Sequence, residues 1–294
     1  MCFLCDIIDS MNTWIRENIF YVSIITLIIS SVWLGSRALY VSPDLQIVFL
    51  DVGQGDAILI TTPHGRQVVV DTGAKNNLGV KLAPYMSVSD RSIDMVVMTH
   101  PDLDHVGSMI SLLDRYDIDV IMHSGLLAGA PMYSAIVEKI KQHTIPTITG
   151  EAGQVITLDK NVYLEIYSPH VHLDSFEPND YSIVMRLVYG NTSVLLNGDA
   201  TKSIEYELVN TYGSMLTSDI LKVGHHGSQT STSDLFIQTV SPQYGIISAG
   251  CDNRFGHPHG NVLATLFSAQ VQVLDTCNEG DIIFESNGEG WQKK

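Results

Sequence analysis

After Pro43 the chain repeats one pattern: a short apolar run, a polar tip, then a turn or an amphipathic stretch. Residues 46–50, 57–61 and 67–71 read as three short strands, separated by turn-forming segments at 51–56 and 63–65. The runs at 93–98, 155–158, 162–167, 182–189, 193–196, 220–223, 244–248, 270–274 and 281–285 continue the series. Helices are expected at 106–116, 134–143, 201–212 and 262–268. A further helix should start at Ser233, where a hydroxyl can cap the first amides. Strands crowd both ends of this region, with helices between and after them. That order predicts an α/β fold of two mixed sheets with helices outside, not one parallel sheet with regular crossovers. No low-complexity linker interrupts residues 44–294, which are expected to form one domain.

Three of the apolar runs end in chemistry. The run Ile93–Met98 is followed by Thr99-His100-Pro101-Asp102-Leu103-Asp104-His105, four potential metal ligands in six positions. The run at Ser193 ends in Asn197-Gly198-Asp199, and the run at Ile220 ends in Gly224-His225-His226-Gly227. Imidazole and carboxylate without thiolate suit zinc, manganese or magnesium, and a fold that gathers the three tips would hold one or two divalent ions. A polar loop capping a helix needs one carboxylate, so four potential ligands exceed that need. Neighbouring side chains usually diverge, so one of the adjacent pair, His226, is taken as a ligand and His225 is left to face substrate.

Charge changes the picture in one respect. Asp and Glu outnumber Lys and Arg by 32 to 16, a formal charge of −16, which weighs against broad electrostatic capture of nucleic acid. Bound divalent ions would still give local positive charge for a phosphate-containing substrate. Residues 19–36 carry no charged side chain, and continuation to 41 gives the length of a membrane span. The preceding residues lack a clearly basic stretch and a small-residue cleavage site, so 19–41 is expected to be an uncleaved anchor after a flank at 1–18. Arg16 and Arg37 lie one on each side, leaving the charge rule balanced; an external catalytic domain is the expectation. Cys2 and Cys5 precede the span, and Cys251 and Cys277 are far apart in sequence, so unpaired thiols are the plain expectation.

Taken in order, these motifs resemble the metallo-β-lactamase superfamily and, within it, the hydrolase domain of the ComEC competence family. Phe49-Leu50-Asp51-Val52-Gly53-Gln54-Gly55-Asp56-Ala57 is similar to that group's opening signature, and Asp71-Thr72-Gly73 follows it. His100, Asp102, Asp104 and His105 match the His-x-His-x-Asp-His motif with Asp in place of the second His. Asn179, Asp180 and Ser182 stand where many relatives carry a metal-binding His. Val223-Gly224-His225-His226-Gly227-Ser228 and Gly256-His257-Pro258-His259 complete the set. Related domains often place Asp where this chain has Cys277.

The resemblance implies an αββα sandwich with metals at one edge. It assigns His100 and Asp102 to one metal position, Asp104 and His105 to the other, and makes Asp199 the bridge. The catalytic roles it leaves are orientation of the attacking water by Asp104, and stabilisation or protonation of the leaving group by His225 or His257. Asp51, Gln54, Asp56, Asp71, Asn179, Ser182 and Ser228 are expected to shape loops or steady the ligands, with Asp56 or Asp71 accepting a hydrogen bond from a ligand imidazole.

The implied activity is metal-dependent phosphodiester hydrolysis with DNA as substrate, linked to DNA uptake or processing. A single span cannot form a multi-helix channel, so a membrane transport partner is part of this expectation. Two other readings stay open: a small-molecule or envelope-ester hydrolase of the same fold, and a non-catalytic tethered protein that binds nucleic acid or a partner.

Overall fold

A computed structural model describes residues 13–14, 18–31, 44–75, 77–126, 131–170 and 177–294. The chain divides into two compact units, Met1–Val41 and Ser42–Lys294. In the first, residues 18–31 are helical and expose apolar side chains such as Phe20, Ile25, Leu27 and Ile29. The expected span at 19–41 is therefore covered only to residue 31; 32–41 lie outside the described residues. Among the described residues no helix is long and apolar enough to cross a membrane.

The second unit carries two sheets. The first sheet begins with β1 (Leu45–Phe49), β2 (Ile58–Thr61), β3 (Gln67–Val70), β4 (Ser92–Met98), β5 (Asp117–His123) and β6 (Thr147–Thr149). The second comprises β7 (Val155–Asp159), β8 (Val162–Ser168), β9 (Val184–Tyr189), β10 (Thr192–Leu196), β11 (Ile220–Lys222), β12 (Tyr244–Ile247) and β13 (Gln272–Asp275). The chain then returns to the first sheet with β14 (Ile282–Ser286) and β15 (Trp291–Lys293), giving the order β15-β14-β1-β2-β3-β4-β5-β6 beside β13-β12-β11-β10-β9-β8-β7. Helices α1 (Leu78–Leu82), α2 (Leu103–Val106), α3 (Met109–Leu113) and α4 (Pro131–Gln142) accompany the first sheet. Helices α5 (Lys202–Tyr212), α6 (Asp234–Val240), α7 (Gly260–Ser268) and α8 (Thr276–Glu279) accompany the second.

Period-two patterning builds the layers. Ile47 and Phe49 of β1 face Leu164, Met185, Leu196 and Ile246 across the inter-sheet core, whereas Val48 between them packs outward with Leu78, Leu112 and Ile136 of the first helical layer. On the far side Leu195, Leu221 and Ile247 meet Ile204, Phe236 and Leu266 of the second helical layer. Three stacked apolar layers make the αββα sandwich the sequence implies. Both sheets contain parallel pairs, β3 to β6 in one and β10 to β13 in the other. The segments that follow β3, β4, β10, β11 and β12 carry the candidate chemistry, the usual position for a site in α/β architecture.

Three expectations change. The helix expected at 106–116 is two short helices, α2 and α3, and β5 runs where no strand was expected. Asp117 and Asp119 are exposed on β5 while Ile118 is buried, so acidic residues on one face disguise an alternating strand. Cys251 and Cys277 are not separate thiols: they form a disulfide with Cα atoms 5.0 Å apart. It ties the segment after β12 to α8. Cys2 and Cys5 lie outside the described residues.

Candidate metal centre

The loop after β4 turns at once into α2, which sets His100 and His105 deep in the fold with Asp102 and Asp104 nearer its mouth. Its close fit depends on Gly55, whose φ is +118° and whose added Cβ would lie 2.1 Å from the Asp104 carbonyl oxygen. Any side chain there would push the 51–56 turn away from the ligand loop.

From the other sheet, Asp199 follows β10 and the histidine pair follows β11. His225 and His226 both adopt left-handed backbone, φ 48° and 55°. That conformation costs each residue on the order of 1–3 kcal/mol, and it explains a departure from expectation. Strand geometry would point neighbouring side chains apart, but two successive left-handed residues turn both imidazoles toward Asp199, at 3.6 Å from His225 Nε2 and 3.5 Å from His226 Nε2.

Two groups of donors share Asp199. On one side Asp199 Oδ1 is 3.3 Å from His105 Nε2, which is itself 3.3 Å from His226 Nε2, and Asp104 Oδ2 is 3.2 Å from the same His226 nitrogen. On the other side Asp199 Oδ2 and Asp102 Oδ2 are each 3.8 Å from His100 Nε2, with His225 beside them. Ligand atoms of Asp56, His105, Asp199 and His226 also lie within 4.8 Å of one another.

The residues fit a divalent cation on two counts. His100 Nε2 and Asp199 Oδ1 are buried polar atoms with no hydrogen-bond partner, a costly state that a cation between the donors would relieve. The donor set is carboxylate and imidazole throughout, which suits zinc, manganese or magnesium.

Each buried imidazole is also held from behind. Asp71 accepts from His105 Nδ1 at 2.7 Å and from the Thr99 amide and hydroxyl at 2.8 and 2.7 Å. His226 Nδ1 donates to the Ser248 carbonyl at 2.9 Å and lies 3.3 Å from Asp56 Oδ1. Asp56 Oδ2 pairs at 2.8 Å with Lys222, whose side chain is 1% exposed. His225 Nδ1 meets the Thr230 hydroxyl at 3.0 Å and Asn179 Nδ2 at 3.4 Å, and Ser182 Oγ accepts from the Asp199 amide at 3.2 Å.

Electrostatics follow from this crowding. Burial opposes a charge on His226, yet Asp199 and Asp56 raise its pKa to about 9. Burial likewise opposes a charge on His105, which Asp199 and Asp71 nonetheless lift well above the ordinary histidine range. Burial and the neighbouring His105 push His100 down to about 3. Burial raises the carboxyl of Asp199, but His226 and His105 outweigh it and hold the group well below the usual range. The carboxylates that raise these two imidazoles are the same groups that would attract a divalent ion.

The remaining candidates sit around this core. His257 stands at the mouth, its ring centroid 5.7 Å from that of His225, and burial together with His225 lowers its pKa to about 4. Gln54 Oε1 accepts from the Gly250 amide, and Ser228 contacts Thr230. Asp51 is not drawn in: it lies 3.6 Å from Lys81 and accepts from the Gly53 amide. Sequence reasoning missed Lys222, although a lysine inside the apolar run Ile220-Leu221-Lys222-Val223 is a signal for a buried partner.

A model of the metallo-beta-lactamase superfamily matches residues 50–250. ComE operon protein 3 of Bacillus subtilis is 31% identical over 258 residues, covering 82% of this chain and 33% of that protein. Competence protein ComA of Neisseria gonorrhoeae is 30% identical over 257 residues, covering 83% of this chain and 34% of that protein. The chain spans about a third of the length of these curated relatives. Among solved structures, CmlA, a diiron beta-hydroxylase from Streptomyces venezuelae, has a TM-score of 0.52 at 11% identity over 80% of this chain and 53% of that one, a likeness of fold. With a family model matched over most of its length and that family's ordered motifs gathered at one rim of an αββα sandwich, the chain belongs to the metallo-beta-lactamase superfamily and resembles bacterial competence proteins.

Proposed function

We propose that this chain is a metal-dependent phosphodiesterase acting on DNA, anchored to a membrane by residues 19–41 with its hydrolase domain on the external side. The observation that carries the reading is the position of Asp199 between the two donor groups: Oδ1 lies 3.3 Å from His105, and Oδ2 lies 3.8, 3.6 and 3.5 Å from His100, His225 and His226. Divalent ions in this cleft would activate water and offset charge on the attacked phosphoryl group. The protein's own residues do the rest. Asp199 fixes the spacing of the two donor groups, and Asp104, near the mouth and 3.2 Å from His226 Nε2, orients the attacking water. His225, steadied by Thr230, and His257, a neutral imidazole at pH 7, face the leaving oxygen as hydrogen-bond donors.

The names of the relatives, a competence protein and a protein of the ComE operon, support DNA as the substrate class. The Cys251–Cys277 disulfide supports an oxidising and hence external compartment. The apolar side chains exposed on helix 18–31 support the anchor. The net charge of −16 favours the competing small-molecule ester reading. The test is cleavage of single-stranded DNA, bis(p-nitrophenyl) phosphate and carboxylic esters by the purified chain with manganese, magnesium or zinc. DNA cleavage lost on chelation and in Asp199→Ala supports the proposal. Ester hydrolysis without DNA cleavage, or DNA cleavage surviving both treatments, overturns it.

A further inference from the structure

We propose that Lys222 is a positioning residue for the metal centre: paired with Asp56, it fixes that carboxylate behind His226 and keeps it out of the set of direct ligands. The proposal rests on the metal-binding part of the functional reading and not on the identity of the substrate.

A lysine ammonium with its side chain 1% exposed is rare and expensive unless paired, and here the pairing is direct: Nζ lies 2.8 Å from Asp56 Oδ2 and donates to the Val223 carbonyl at 2.9 Å. Both residues lie between the two halves of the site. Asp56 ends the Gly-rich turn that closes over Asp104, and its amide donates to the Asp104 carbonyl at 3.2 Å. Lys222 ends β11, two residues before the turn that carries the histidine pair. The contact therefore joins the loop after β1 to the loop after β11 directly beneath the candidate ligands.

The free oxygen of Asp56 shows what the pair does. Oδ1 is buried, has no hydrogen-bond partner, and lies 3.3 Å from His226 Nδ1. One Asp56 oxygen already lies within 4.8 Å of ligand atoms of His105, Asp199 and His226, so a small rotation would bring it into a metal's coordination shell. Lys222 holds the other oxygen and prevents that rotation. The carboxylate is left behind the ring, where it reinforces the Nδ1–H that faces Ser248 and leaves Nε2 for the cation. Asp71 serves His105 in a comparable way, but its restraint comes from the amide and hydroxyl of Thr99 and involves no cationic side chain. A salt bridge of merely structural use would not need to end on an unsatisfied oxygen aimed at a ligand imidazole.

The test separates stability from metal binding. Lys222→Met and Asp56→Asn each leave one buried charge unpaired and should lower the melting temperature, whereas the double variant D56N/K222M removes both charges and should recover much of that loss. Metal affinity, measured by competition with a chromophoric chelator, should stay about 10–100-fold weaker in the recovered double variant. Nitrogen-15 NMR of the zinc-loaded wild-type chain should show His226 protonated at Nδ1 and ligated through Nε2. Wild-type affinity in the double variant, or His226 ligated through Nδ1, would overturn the proposal while leaving a metal centre in place. A wild-type chain that binds no divalent ion would overturn the centre and this proposal together.

Discussion

His105 and His226 stand 3.3 Å apart at the heart of the cleft, yet the two sheets hold them by different means. The first sheet supplies His105 with Asp71, a carboxylate satisfied by three donors that all come from the segment after β4. The second sheet supplies His226, whose carboxylate Asp56 comes from 170 residues earlier and is restrained by a buried lysine. Their electrostatics differ accordingly. Burial raises the carboxyl of Asp71 despite His105, whereas for Asp56 the Lys222 ammonium and His226 overcome burial and bring it to about 2. One ligand is locked by a local hydrogen-bond net and the other by a long-range charge pair, so they should fail differently.

Asp199 is the group the two imidazoles share, and its loss should have the largest effect. Asp199→Ala is expected to abolish both stoichiometric metal binding and hydrolysis, seen by elemental analysis of the purified protein and by the cleavage assay; retention of full metal content would show that the two sides do not meet through it. Next in size, Asp71→Ala removes an acceptor from three buried donors and should cost about 3–5 kcal/mol, the scale for leaving a buried charged partner alone. Chemical denaturation with chelator present measures this, and a loss below that of Asp56→Asn would reverse the ranking of the two supports.

Breaking the disulfide is a contrast that spares both imidazoles. Cys251→Ser with Cys277→Ser opens a cross-link between residues 26 apart and should cost about 2–4 kcal/mol, with slower turnover because the segment carrying His257 is released. Metal content should not change; if it falls, that segment supports the ligands themselves.

The smallest effect is on pH. With chelator present, His226 titrates at about 9 in the folded chain against roughly 6.5 unfolded. A folded pKa above the unfolded one means its stabilising contribution is complete below about 6.5 and disappears as pH rises through 9. Melting temperatures of the chelated protein should therefore decline across that window, with His105 acting in the same sense. Asp56→Asn should move the decline to lower pH, and an unchanged window would remove Asp56 from the electrostatics of His226.

The sequence displayed the half of this site that is local. His100 to His105 fall within six residues after an apolar run, so their grouping needs no knowledge of the fold; Asp199 was legible as the polar tip of an apolar run, but not its meeting with them. Period-two patterning was also enough for most strands of the inter-sheet core. What stayed hidden depends on tertiary geometry. The left-handed turn that brings His225 beside His226 leaves no alternation to read, and β5 was masked by Asp117 and Asp119 on its exposed face. The Cys251–Cys277 pairing and the Lys222–Asp56 contact join positions whose separation carries no information until the sheets are stacked.

Anomalous diffraction from crystals of the full chain grown with manganese tests the central claim most directly. The arrangement predicts a peak within about 2.0–2.3 Å of Asp199 and of His105 or His226, with any second peak on the side of His100 and Asp102. Manganese bound elsewhere on the chain, with no density between Asp199 and these imidazoles, would contradict it.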